Sequence, residues 1–125
     1  MKNMLLTYMN TSTAVSAGGT VPLGSAVHGI GRGIRLNGNN ILYTDCGLTK
    51  FIATVSMTVT GTDPVTLSIL EDGVVVASTT AKAQASGAAV SMTLPWVIRK
   101  KCEEKNISMT VSAGGNITNV VTLSE

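Results

Sequence analysis

Residues 27 to 38, "VHGIGRGIRLNG", gather four glycines, two arginines and His28, the single histidine of the chain. Glycine beside cations is the composition of a phosphate cradle, where backbone N–H groups at a helix N-terminus hold the anion. The spacing argues otherwise. A dinucleotide fingerprint needs G-x-G-x-x-G between a strand and a helix, whereas Gly29, Gly31 and Gly33 give G-x-G-x-G before the strand-like "IRLNG". The Lys-Ser/Thr pair of a Walker loop is missing too. The stretch therefore reads as a corner between two sheets, with Gly29, Gly31 and Gly33 supplying backbone freedom.

The remaining reactive side chains are scattered. His28 has no Cys or acidic residue at zinc-ligand spacing, and Cys46 and Cys102 do not form a C-x-x-C. A hydrolase would need His28 within reach of a nucleophile and an orienting partner, and only Asp45 and Cys46 offer themselves. The acidic residues lie mostly in turn-like stretches. Asp63, Glu71 and Asp72 lack the oxygen spacing of an EF-hand loop. A glycosidase would want paired carboxylates and aromatic platforms, yet the chain has one Trp, two Tyr and one Phe. Of these, Trp96 and Tyr43 are the candidates for contact with a sugar. The cluster "RKKCEEK" (99–105) is too short and self-neutralised for nucleic acid. Its lysines could activate Cys102, but Glu103 and Glu104 oppose thiolate formation. Cys46 and Cys102 read as free, partly buried thiols, because one possible bridge is no disulfide framework. No catalytic residue, metal or cofactor site is expected.

Composition points the same way. The 125 residues are 44% hydrophobic but only 3% aromatic and 13% charged, with a net charge of +2. That balance suits β-structure rich in Val, Thr, Ser and Gly, and supplies no basic surface for nucleic acid or anionic membrane. No apolar run approaches the ~18 residues of a membrane span. The opening "MKNMLLTYMN" has neither the apolar region nor the cleavage site of a signal peptide. Without one, the sequons at Asn10, Asn106 and Asn116 read as accidents of composition. The whole chain, 1–125, is expected to be one domain.

The elements that position these residues are strands. In "FIATVSMTVT", Phe51, Ala53, Val55, Met57 and Val59 fall on one face, and Thr54, Ser56, Thr58 and Thr60 on the other. The same alternation assigns to the core Val65, Leu67 and Ile69; Val90, Met92, Leu94, Trp96 and Ile98; Ile107, Met109 and Val111; and Ile117, Val121 and Leu123. Asp72-Gly73 fits a two-residue hairpin turn, pairing "VTLSIL" with "VVVAST". "GTDP" (61–64) and "NGNN" (37–40) are further turns. The expected architecture is an antiparallel two-sheet sandwich of about eight to ten strands. Apolar residues are left over: Ile52, Val75, Val97 and Val120 fall opposite the core set, as do Leu5 and Met9 if Met4, Leu6 and Tyr8 point inward. With few charges to keep it soluble, such a chain is expected to hide that second face in an oligomer.

"ILYTDCGLTKFIATVSMTV", "VTLSILEDGVVVAST" and "VSMTLPWVI" together resemble the trimeric jelly roll of the tumour-necrosis-factor and complement globular-head superfamily. That resemblance implies a jelly-roll sandwich, a homotrimer and no catalysis. Where that superfamily usually has paired tyrosines after the glycine, here Gly47, the chain has Leu48 and Thr49. The opening "LLTYMN", the central "VHGIGRGIRLNGN" and the "DCG" turn are similar to small structural proteins of tailed phages. This second resemblance implies a virion protein made in the bacterial cytoplasm, a capsid decoration or head fibre partnered by itself and by a capsid or fibre protein. A glycan-binding or adhesion module is the alternative.

Overall fold

A computed structural model of the protein describes residues 3–125. Among them run eleven strands: β1 (Met4–Met9), β2 (Thr13–Val15), β3 (Ser25–Ile30), β4 (Ile34–Asn37), β5 (Asn40–Tyr43), β6 (Gly47–Val59), β7 (Val65–Glu71), β8 (Val74–Ala81), β9 (Ala89–Lys100), β10 (Lys105–Val111) and β11 (Gly115–Ser124). One more strand is present than the alternation predicts. Two antiparallel sheets face each other. The six-stranded sheet has the order β3-β1-β11-β6-β9, with β2 paired to β11, and the five-stranded sheet has the order β4-β5-β10-β7-β8. This is a jelly-roll sandwich.

Alternation builds the core. Phe51, Ala53, Val55, Met57 and Val59 of β6 are buried, as are Val65, Leu67 and Ile69 of β7 and Ile107, Met109 and Val111 of β10. Asp72 and Gly73 both have positive φ, 51° and 84°, and turn β7 back along β8. Gly38, with φ 62°, sits in the turn between β4 and β5.

The glycine-rich stretch carries the chain from one sheet to the other. β3 belongs to the six-stranded sheet and β4 to the five-stranded one. Gly31 takes φ 76°, and Gly33 passes so close to other segments that a Cβ there would lie 2.5 Å from Asn3 Nδ2 and 2.8 Å from Asp45 Cβ. Gly29 is different: it lies within β3 opposite Leu5, and its backbone needs no positive φ. It is a strand residue, not part of the turn. Gly33→Ala will destabilise the protein by about 1–3 kcal/mol in urea melts, since overpacking must displace the Asn3–Asp45 contact. Arg32→Ala, at an exposed tip, will stay within about 0.5 kcal/mol.

The face assignment of the first and last strands is reversed relative to the sequence reading. Leu5, Met9 and Val120 are buried in the core, so they are not on the outer face. Leu6, Val121 and Leu123 point outward with Tyr8, and only Leu6, Val121 and Leu123 are half-buried. Two physical causes act together. A bulge in β11 between Ile117 and Asn119 inserts one residue, so Ile117 and Val120 both face inward. The core also accepts hydroxyls on these strands. Thr7 and Thr122 are fully buried and hydrogen-bond to each other, while Ser124 bonds the Tyr43 hydroxyl at 2.6 Å. Once paired, a hydroxyl costs little inside, and the hydrophobic alternation loses its meaning.

The cysteines are the second correction. Cys46 and Cys102 form a disulfide, with Cα atoms 4.3 Å apart. Cys46 lies in the β5–β6 crossover and Cys102 in the β9–β10 crossover, and each crossover passes between the sheets at the same end of the sandwich. A contact between positions 56 residues apart is set by topology, which spacing does not reveal.

Candidate interface on the six-stranded sheet

The outward side chains of the six-stranded sheet line up across its strands. Register places Pro95 beside Ile52, Ile52 beside Leu123, Leu123 beside Leu6, and Leu6 beside His28. Paired residues of an antiparallel ladder share a face, so four apolar side chains form one continuous row ending at the histidine. Val97 lies beside Lys50 in the next rung, and Leu48 beside Arg99 one rung further. Ile52, Val97 and Leu48 are 43%, 54% and 69% exposed. A shallow depression of about 690 Å³ lies over this region, lined by Ile52, Pro95, Trp96, Val97 and Leu123 with Lys50 and Glu125 at its margin.

Towards the other end the same face becomes polar. Thr54 and Thr93 are joined at 3.2 Å, Ser56 and Ser91 at 3.2 Å, and Asn119 donates to the Tyr8 hydroxyl at 3.4 Å. The outer face of the five-stranded sheet is also a hydroxyl ladder, with Thr66–Thr80 and Ser68–Ser78 each at 3.0 Å. Val75, although 55% exposed, lies on this sheet, opposite Leu70. It is therefore not part of the row that contains Ile52. Of the six residues assigned to an interface by pattern, Ile52 and Val97 share one surface, Val75 lies elsewhere, and Leu5, Met9 and Val120 are core. The pattern missed Leu6, Pro95, Val121 and Leu123, whose outward placement depends on register.

A buried polar cluster closes the disulfide end. Lys100 Nζ sits 2.5 Å from Asp45 Oδ1, bonds Thr49 Oγ1, and lies 5.4 Å from the centre of the Tyr43 ring. Asp45 also accepts from Asn3 at 2.9 Å, and Asn3 in turn accepts from the Gly33 N–H at 3.1 Å. Each member has partners, so the cluster is a structural clasp. Tyr43 is fully buried and cannot meet a sugar, and the Trp96 indole N–H points to Glu71 at 3.5 Å. His28, Arg32 and Arg35 are exposed and spread over the corner and its flanking strands. No group of three or more His, Cys, Asp or Glu that could hold a metal exists among the described residues.

Burial pushes the Tyr43 phenol well above its ordinary pKa, opposed by its Ser124 hydrogen bond and reinforced by the nearby Asp45 charge. The unfolded chain gives up that proton near pH 10, whereas the folded protein keeps it. Below pH 10 Tyr43 is neutral in both states and contributes no slope. As pH rises above 10 the unfolded state binds fewer protons, so stability falls. Urea melts between pH 9 and 11 will show this loss, and Tyr43→Phe will reduce the slope while costing about 1 kcal/mol at neutral pH.

The class of protein defined by this arrangement is a jelly roll whose six-stranded sheet carries an apolar row on part of its outer face. Solved structures share the jelly-roll fold. The crystal structure of murine APRIL at pH 5.0 matches with a TM-score of 0.76 at 14% identity, over 99% of both chains. The globular domain of zebrafish complement 1qA matches with a TM-score of 0.78 at 11% identity, over 99% of this chain and 96% of that one. The PRD1 vertex protein P5 matches with a TM-score of 0.64 at 12% identity, over 98% of this chain and 94% of that one. No family model matches the sequence, and no curated protein is similar to it in sequence.

Proposed function

We propose that the protein is a non-enzymatic structural component of a virion, a homotrimeric capsid decoration or head-fibre protein of a tailed phage. One observation carries the self-association. β1 and β11 bury Thr7, Thr122 and Ser124 while turning Leu6, Val121 and Leu123 outward. Strands that face water on one side normally do the opposite. An outer face that carries a continuous apolar row is the arrangement expected where a second protein surface covers it. The stoichiometry of three rests on the resemblance to trimeric jelly rolls, and the virion role on the phage-like motifs together with a vertex protein among the structures that share the fold. The mechanism is burial of the Pro95–Ile52–Leu123–Leu6 row between protomers, with the hydroxyl-rich faces and loops left free.

Two measurements test this. Light scattering at micromolar concentration should give a mass near three times the 12.9 kDa of one chain. Mass spectrometry of purified particles from a phage encoding the chain should find it in fixed proportion to the capsid protein. A stable monomer would contradict the assembly, and absence from the particles would contradict the virion role.

A further inference from the structure

We propose that the Cys46–Cys102 bond is a thiol–disulfide exchange site that sets the strength of self-association. The inference rests on the assembly reading above and adds a control to it. Both cysteines are exposed, so a reductant can reach them in the folded protein. Cys46 immediately precedes β6, and one residue, Lys101, separates Cys102 from the end of β9. β6 and β9 are the strands that supply Leu48, Lys50 and Ile52, and Pro95, Val97 and Arg99, to the outer face. The bond thus ties together the ends of the two strands where the apolar part of that face lies. Leu48, the most exposed large apolar residue among those described, is two positions from Cys46.

Within this end two ties run in parallel between the same two segments. Lys100–Asp45 is one and Cys46–Cys102 is the other. The ion pair is half-buried, its lysine side chain 1% and its aspartate side chain 22% exposed, and holds no bond that a reductant cleaves. The fold is therefore expected to persist when the covalent tie opens, while the first rungs, Gly47–Lys100 and Leu48–Arg99, fray. A frayed face must be ordered when a partner binds, and that entropy is subtracted from the association. The oxidised form starts ordered.

The chemistry balances with an external dithiol. One of its thiolates attacks a protein sulfur, its second thiol closes its own disulfide, and Cys46 and Cys102 leave as two thiols carrying two electrons and two protons. An external disulfide runs the same exchange backwards. A chain made under reducing conditions and later exposed to oxidant would pass from the weaker to the tighter assembly.

The test compares the oxidised protein, the protein reduced with dithiothreitol, and Cys46→Ser/Cys102→Ser, each followed by sedimentation over a dilution series and by amide hydrogen exchange. Reduction should keep the far-ultraviolet spectrum and raise the concentration at which the assembly dissociates by about tenfold or more. Exchange should quicken at Gly47–Lys50 and Val97–Lys100 and stay unchanged at Thr54–Thr58 and Ala89–Thr93. The double variant should match the reduced protein and ignore dithiothreitol. A trimer whose dissociation is indifferent to reduction overturns the coupling alone. A bond that dithiothreitol cannot open in the folded protein overturns the exchange site. An oxidised protein that is monomeric at every concentration overturns the assembly reading together with the coupling.

Discussion

Ile52→Lys will release folded monomers, whereas Val120→Lys will leave no folded protein. The substitutions add the same charge to neighbouring strands of one sheet, and they differ in which way the side chain points. Ile52 is 43% exposed in the single chain, so a lysine there keeps its ammonium in water and costs folding within about 0.5 kcal/mol. In the assembly that ammonium would be pressed between apolar surfaces without a partner, a penalty of several kcal/mol per protomer. Val120 has no exposure at all. A charge buried there costs several kcal/mol against a total stability of about 5–15 kcal/mol. Light scattering should therefore report a monomer of unchanged circular dichroism for Ile52→Lys, and Val120→Lys should be insoluble or unfolded. If Ile52→Lys keeps the wild-type mass, the outer face of the six-stranded sheet is a solvent face and the interface lies elsewhere.

Replacing both cysteines by serine will lower the melting temperature by roughly 10–15 °C. The bond joins residues 56 apart in sequence. Closing a loop of that length removes unfolded-state entropy equivalent to about 3–4 kcal/mol. For a chain of 125 residues the unfolding entropy near the midpoint converts that loss into a shift of about that size. The free-thiol reading of the sequence would put the shift near zero. Calorimetry on the oxidised protein and the double variant, at equal protein concentration, decides between them. A shift below about 3 °C would mean that the Lys100–Asp45 clasp alone holds the two crossovers together.

The sandwich was legible because its central strands obey a simple rule. β6, β7 and β10 have one face against the core and one against water or hydroxyl neighbours, so period-2 alternation names their buried residues directly. Asp72-Gly73 marked its hairpin for an equally local reason: two adjacent positive φ values demand residues of that kind. The corner at Gly31 and Gly33 was legible as a bend, whereas the place of Gly29 in β3 was not, because a glycine in a strand looks the same in sequence as one in a turn.

The outer apolar row was half legible. An excess of apolar residues over what one core can absorb is a property of composition and pattern, and it pointed to aliphatic side chains outside the core. Which aliphatic residues stand outside was not written there. On β1 and β11 both faces carry aliphatic groups, and hydroxyls paired across the core replace the polar signal that alternation relies on. A one-residue bulge then reverses inside and outside for the rest of β11.

By itself the sequence determined the all-β class, the core of the central strands, the positions of the sharp turns and an excess of apolar residues over one core. These follow from local backbone preferences and from side-chain period along one strand. Only the tertiary structure decided that Cys46 meets Cys102, that Lys100 finds Asp45 beneath them, and that Pro95, Ile52, Leu123 and Leu6 stand in one row. Each of these joins residues distant in the chain, and what brings them together is strand order and register, which the packing of the whole sandwich fixes.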